Sequence, residues 1–295
     1  MSAVPELDQG ALDDLPLPDL AGEIDKDSRG RVLVVGGGAW GPGAPLLSAL
    51  AALRSGAGKL QVAAAERFAA PLAVAVPEAA ILIAPSTPDG ELTAQAAEVL
   101  TERAQRADAV IVGPGIIDEK VGRDLACDLA RTPGEARFVL DAGALTALDP
   151  TRPLPGIGGR LVMTPHAGEM ARLLGCEKAA VQDDPLGAAR EVAQAFQAVV
   201  VMKGSDSYVV SPDGEALLHR NGVVGLATSG SGDVLAGVIG GLLAQGAPPF
   251  TAAAWGVWVH GAAGGRLSER IGRVGFLARE LLEEIPRLIV RRGAG

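Results

Sequence analysis

The stretch Thr228-Ser229-Gly230-Ser231-Gly232-Asp233 sets hydroxyls, two glycines and a carboxylate directly ahead of an apolar run from Val234 to Leu243. A loop of small residues that opens a helix turns backbone N–H groups toward one point, and the helix dipole adds partial positive charge there. Gly230, Ser231 and Gly232 thus offer a cradle for a phosphoryl group. Asp233 is out of place beside a bound anion unless chemistry needs it. Next to a transferring phosphoryl group it would accept the proton of an attacking hydroxyl. The plainer alternative is a helix start in which Ser229 or Ser231 caps the first turn and Asp233 complements the dipole. The loop by itself leaves both open.

Other stretches carry chemistry-bearing residues at turns. Lys203-Gly204-Ser205-Asp206-Ser207 presents a cation, a pliable backbone and hydroxyls to a nucleotide, or else an ordinary strand-to-hairpin turn. In Thr164-Pro165-His166-Ala167-Gly168-Glu169, His166 could stack on or hydrogen-bond a planar ligand. Glu169 could hold Mg²⁺ through water, since magnesium keeps part of its hydration shell. The alternative is a helix capped by Thr164 with Glu169 in its first turn. Gly36 to Gly41 matches the G-x-G-x-x-G dinucleotide fingerprint, with Glu66 beyond the next strand. That match leaves Lys203-Gly204 and the 228–233 loop unexplained. Asp141 is either functional or a turn residue, and His260, among small residues on an apolar helix, reads as a core histidine.

The elements that must position these residues follow from periodicity. Apolar runs at 31–35, 60–64, 109–112, 138–140, 161–163 and 199–202 predict buried strands. Helical segments are expected over about 43–55, 92–106, 120–131, 168–174 and 186–197. Strands alternating with helices imply an α/β fold with a mostly parallel sheet covered on both faces, which binds ligands beyond the carboxyl ends of its strands. A hairpin is expected over 208–210 and 215–218. The stretch 234–265 has no Asp, Glu, Lys or Arg, but Gln245-Gly246-Ala247-Pro248-Pro249 cuts it into pieces too short for a bilayer. Two buried helices are the better account.

Composition narrows the partners. Forty Gly with only 3% aromatic residues point to close packing through small side chains, and a net charge of -9 argues against nucleic acid or an anionic membrane. Cys127 and Cys176 lack CxxC spacing and read as buried free thiols, and the histidines lack zinc-site spacing. Residues 1–29 form an acidic arm whose Leu12, Leu15, Leu17 and Leu20 are spaced to dock on the body. The arm has no Lys or Arg before Lys26 and no apolar h-region, so a cytoplasmic location is expected. Residues 30–295 read as a single domain.

Arg31 to Gly38, Gly43-Ala44-Pro45 with Ala52 to Gly58, Gly113-Pro114-Gly115, Thr164 to Glu169, Lys203-Gly204 and Ala227 to Gly246 occur in the order seen in the NAD(P)H-hydrate dehydratases. The chain resembles this family, ribokinase-like proteins that repair hydrated nicotinamide cofactors, from about residue 29 to Leu288. The resemblance implies a three-layer αβα fold and a carbon–oxygen lyase. ADP, or ATP as in eukaryotic members, with Mg²⁺ would phosphorylate the ring hydroxyl of NADHX or NADPHX, and phosphate would then leave. It implies that Asp233 is the base and that Gly230, Ser231 and Gly232 form the anion hole. Ala44, Gly115, His166 and Asp233 would contact the hydrated cofactor, and Lys203, Gly204, Ser205, Asp206, Ser207 and Gly232 the adenine nucleotide. It also implies a homo-oligomer, a tetramer in the family.

Departures from the family pattern concentrate near the site. Gly222-Val223-Val224-Gly225 stands where Gly-Asn-Pro-Gly is usual, Gly143 where a second acid is usual, and Ala167 where proline is usual. Val223 and Gly143 therefore raise two further readings: a small-molecule kinase of the same fold, and a nucleotide-binding homologue without turnover.

Overall fold

A computed structural model describes residues 4–19, 25–152, 154–220 and 222–289. Its centre is a nine-stranded sheet of β1 (Arg31–Val35), β2 (Lys59–Ala65), β3 (Ala79–Ala84), β4 (Ala109–Val112), β5 (Arg137–Leu140), β6 (Leu161–Met163), β7 (Val199–Met202), β8 (Asp206–Val210) and β9 (Ala216–Arg220). The order across the sheet is β3-β2-β1-β4-β5-β6-β7-β8-β9. Pairing is parallel from β3 to β7 and antiparallel only from β7 through β8 to β9.

Strand β1 shows why the chain folds this way. Val32 and Val34 enter one core, while Leu33 and Val35 enter the other. All four are completely buried, as a run of apolar residues requires when helices cover both faces of a parallel sheet. The helices are α1 (Gln9–Asp13), α2 (Ala44–Arg54), α3 (Glu66–Ala75), α4 (Ala96–Gln105), α5 (Glu119–Ala130), α6 (Ala167–Leu174), α7 (Lys178–Asp183), α8 (Pro185–Phe196), α9 (Ser231–Ala244), α10 (Pro249–Arg270) and α11 (Ala278–Leu288). Buried residues of α2, α9, α10 and α11 share the core of Val32 and Val34, and those of α4, α5, α6 and α8 share the other. The fold is three layers, αβα.

Glycine sets the spacing of the first layer. A Cβ on Gly241 of α9 would lie 2.6 Å from the carbonyl oxygen of Ala52 on α2, and one on Gly237 would run into that of Ser48. The two helices therefore touch backbone to backbone. That contact brings their N-terminal ends side by side, which matters for the site.

The charge-free stretch 234–265 falls within the two buried helices α9 and α10, and among the described residues no helix is long and apolar enough to cross a membrane. The arm joins the sheet edge: Leu7 N donates to Leu218 O at 2.7 Å, and Leu7 and Leu12 are buried in the first core. Leu15 and Leu17 pack against that core, and Leu20 lies outside the described residues. Helix α3 and strand β3 were not expected from periodicity. Their alanine-rich sequences carry little amphipathic signal, and Pro71 sits inside α3. Cys127 is half-buried and Cys176 exposed, so the expectation of two buried thiols fails for Cys176.

Candidate active site

Parallel pairing puts the carboxyl ends of β5, β6 and β7 next to one another, and with them Asp141, Thr164 and Lys203. Thr164 N donates to Leu140 O at 3.1 Å and Lys203 N to Pro165 O at 2.8 Å, continuing the ladder one step beyond the strands. Asp141, 2% exposed, accepts on one oxygen from Thr164 Oγ1 at 2.7 Å and from Lys203 Nζ at 2.8 Å. Glu169 Oε2 lies 3.6 Å from the same ammonium. Burial opposes the charge on Lys203, but the carboxylates of Asp141 and Glu169 outweigh it and hold the pKa above the ordinary lysine value.

The N-terminus of α9 sits directly over this cluster. A Cβ on Gly232 would be 3.4 Å from Lys203 Nζ and 3.8 Å from Asp141 Oδ2. Ser48 Oγ on α2 donates to Asp233 O at 2.8 Å, fixing the first turn from the other side. Burial first, and the Asp141 carboxylate second, push the Asp233 pKa up to about 7, with Lys203 pulling it back. A carboxyl poised there can hold or release a proton near neutrality.

This helix end has no side-chain cap. Gly230 occupies the cap position with φ +89°, a left-handed conformation that favours glycine. Ser231 N donates to Thr228 O at 3.2 Å and Val234 N to Gly230 O at 3.1 Å. Among the described residues, the N–H groups of Gly230, Gly232 and Asp233 have no acceptor. Orphan donors at an open helix end, with an ammonium beneath them, form an anion site.

Helix α6 is the opposite case. The cap is His166 and not Thr164: His166 Nδ1 accepts from Gly168 N at 3.0 Å and Glu169 N at 3.1 Å, and Glu169 Oε2 accepts from His166 N at 2.8 Å. Thr164 is fully buried on Asp141. Because Nδ1 accepts, Nε2 carries the proton of a neutral ring, and the side chain is half exposed at the cavity.

A cavity of about 760 Å³ opens against this end of the sheet, lined by His166, Lys203, Gly204, Ser205, Ser207, Val223, Val224, Leu226, Thr228, Ser231, Gly232 and His260 among others. Asp206 of the same run turns to the hairpin edge, 3.6 Å from Arg220. Ala44 and Gly115 meet elsewhere, at the far side of the α9 terminus. A Cβ on Gly115 would be 3.0 Å from that of Ala44, which lies one helical turn before Ser48. The turn 36–41 packs on the same spot, with Gly37 N donating to Pro114 O at 2.7 Å and Ala39 N to Glu91 Oε1 at 2.8 Å. So Ser231 and Gly232, with Lys203 below them, border the cavity, while Ala44 and Gly115 lie on the α2 side.

Two residues were under-read in the sequence. In the sequence Asp141 reads as functional or as a turn residue, and an Asp ending a buried strand beside two other polar strand ends is the signal that marks it. His260 is not a passive core residue, since its ring lines the cavity and bonds Ser231. The Gly143 departure also has a local cause. A Cβ there would strike the Ile116 carbonyl oxygen, and a Cβ on Gly122 of α5 would strike the Gly143 carbonyl oxygen.

Comparison with known proteins gives a consistent picture. The family model described as NAD(P)H-hydrate dehydratase matches residues 32–287. An ADP-dependent (S)-NAD(P)H-hydrate dehydratase of Xanthomonas campestris is 46% identical over 95% of this chain and 94% of its own. A bifunctional NAD(P)H-hydrate repair enzyme of Moorella thermoacetica is 41% identical, and the chain spans 51% of its length. Among solved structures, the ADP/ATP-dependent NAD(P)H-hydrate dehydratase of Bacillus subtilis, co-crystallised with ATP and Mg²⁺, superposes with a TM-score of 0.83 at 28% identity, covering 98% of both chains. A ribokinase of Thermotoga maritima shares the fold at 13% identity, with a TM-score of 0.56 over 88% of this chain and 99% of its own.

Proposed function

The chain belongs to the NAD(P)H-hydrate dehydratase family, and we propose that it restores NAD(P)H from the (S) hydrate at the expense of ADP. One observation carries this reading: Asp233, poised near neutrality, stands at an uncapped helix end whose free N–H groups overlie the Lys203–Asp141 pair.

In this account Asp233 takes the proton of the ring hydroxyl as its oxygen bonds to the terminal phosphorus of the nucleotide. The bond from that phosphorus to the bridging oxygen breaks, and the nucleoside monophosphate leaves. The N–H groups of Gly230, Gly232 and Asp233 hold the charge that builds on the transferring group. The ring C–O bond then breaks with its electron pair on phosphate, and loss of a proton from the neighbouring ring carbon restores the double bond. Lys203, Gly204, Ser205 and Ser207, which line the cavity, support its assignment to the nucleotide, and Val223, Val224 and Leu226 give it an apolar wall suited to a base. Asp206, turned to Arg220, would act from the rim. Ala44 and Gly115 support a cofactor-binding surface on the α2 side, and His166, which lines the cavity, would meet the hydrated cofactor from there.

Mg²⁺ fits the charge of the site but not a protein cage. Asp141, Glu169 and Asp233 outnumber the single ammonium of Lys203, yet among the described residues no three His, Cys, Asp or Glu side chains converge on a metal position. Mg²⁺ would arrive with the nucleotide and be met through water by Glu169, offsetting phosphate charge. We further place the chain in the cytoplasm as one catalytic unit over residues 30–295, with no nucleic-acid or membrane partner, as the net charge of -9 supports. Val74 on α3 and Ile83 on the open edge strand β3, both exposed, support a homo-oligomer, a tetramer by likeness to the family.

The test is to mix the protein with hydrated NADPH, Mg²⁺ and ADP, ATP or no nucleotide, following the reduced-nicotinamide absorbance. Recovery that needs a nucleotide, with release of free phosphate, supports the reading. A stable phosphorylated product would make the protein a small-molecule kinase, and nucleotide binding without turnover a silent homologue.

A further inference from the structure

One hydroxyl of the anion site, that of Ser231, is bonded to a histidine on a neighbouring helix. Ser231 opens α9, and His260 lies on α10, which packs along it. His260 Nε2 is 2.8 Å from Ser231 Oγ and 3.1 Å from the Ser231 carbonyl oxygen. A carbonyl oxygen only accepts, so the nitrogen this close to it carries the hydrogen. Burial drives the His260 pKa down to about 4, against the pull of the Ser231 carbonyl, so the ring is neutral near pH 7 and Nδ1 is bare.

The consequence falls on Ser231. Its Oγ faces an N–H and presents a lone pair there, which leaves its own proton to point elsewhere. Among the described residues no protein acceptor takes that proton. Ser231 and His260 line the same cavity as Lys203 and Gly232. A freely rotating hydroxyl loses rotational freedom when it donates to an anion. One pinned by an N–H donor at its lone pair turns only its hydrogen.

We propose that His260 is a positioning residue that fixes the Ser231 hydroxyl as a donor to the phosphoryl group held at the N-terminus of α9. The proposal rests on the phosphoryl-transfer reading above. It adds a side-chain donor to the backbone N–H groups, and it assigns a role to a histidine that acts through Ser231.

The experiment compares S231A, H260L, H260Q and the S231A/H260L double variant in nucleotide-dependent recovery of NADPH, with kcat and KM for the hydrate measured separately. Loss of one such donor should lower kcat about 10²-fold. S231A and H260L are each expected to show that loss with KM changed less than about twofold, and the double variant should be no slower than S231A. H260Q, whose amide can donate in place of Nε2–H, should recover part of the rate. Losses that multiply in the double variant, or an H260L enzyme as fast as wild type, would overturn the proposal. If H260L does not fold, the ¹⁵N spectrum of the wild-type histidines decides: an Nε2-protonated His260 supports the proposal, and an Nδ1-protonated one overturns it. A wild-type protein without nucleotide-dependent recovery defeats the dehydratase reading itself, which is a different failure.

Discussion

Two helix starts in this molecule share a threonine, a glycine and a first-turn acid at matching positions and do opposite things. Thr164-Pro165-His166-Ala167-Gly168-Glu169 and Thr228-Ser229-Gly230-Ser231-Gly232-Asp233 each run from a threonine to an acid in the first turn, the second through small residues alone. In α6 the cap side chain, His166, takes the N–H groups of Gly168 and Glu169, and Glu169 returns the favour to His166 N. That end is closed, and its acid is tied into the cap. In α9 the cap is a glycine without a side chain, so the N–H groups stay open and the acid is left with no local partner. An anion site at a helix end depends less on glycine content than on the absence of a capping acceptor.

The comparison breaks first at the two acids. Asp233→Asn should lower kcat by about 10²–10⁴-fold while the nucleotide still binds, because only the proton acceptor is lost. Glu169→Gln should act far less on kcat, and a variant as slow as Asp233→Asn would erase the distinction drawn here.

The same substitution should move stability the other way. A carboxyl raised in the fold from 3.8 to about 7 keeps its proton where the unfolded chain has lost it. Stability therefore falls as pH rises from about 4 to 7, and above that the cost, on the order of 4 kcal/mol, is fully present. Asp233→Asn should melt higher than wild type at pH 8 and lose the advantage at pH 4. Equal melting at both would mean that Asp233 is not desolvated.

Lys203→Met tests what lies beneath the open end. It leaves Asp141 buried without its ammonium, which should destabilise the protein by about 3–5 kcal/mol. Calorimetry at neutral pH checks this, and a loss confined to exposed-pair values below 1 kcal/mol would show the pair to be solvated. The smallest effect is at the closed end: His166→Ala should cost about 1 kcal/mol through the lost cap, and His166→Asn should restore most of it. Melting curves of the two variants separate cap from cavity contact.

The sheet was legible wherever apolar runs ended in a polar turn, as at Val35, Val112, Leu140, Met163 and Met202. It was not legible over 66–84. There Ala-rich segments fit helix and strand alike, and Pro71 argued against the helix that forms. The site was readable as separate turns, because each turn is local in sequence. Which of them meet was not. Asp141 and Lys203 are 62 residues apart and join only through strand order, and His260 reaches Ser231 across a helix pair. The Gly143 departure looked like a lost substrate contact, yet it is where the 142–144 turn packs against Ile116 and α5. Restoring an acid there should impair folding before it could aid catalysis.

The measurement closest to the central claim is the pH dependence of kcat/KM for nucleotide-dependent recovery of NADPH, in wild type and Asp233→Asn, with nucleotide binding followed alongside. Wild type should show an acid limb with an apparent pKa near 7, and the variant a rate lower by about 10²–10⁴-fold with binding intact. A wild-type rate flat from pH 5 to 9, or a variant within about tenfold of wild type, would contradict the assignment of Asp233 as the base at an open helix end.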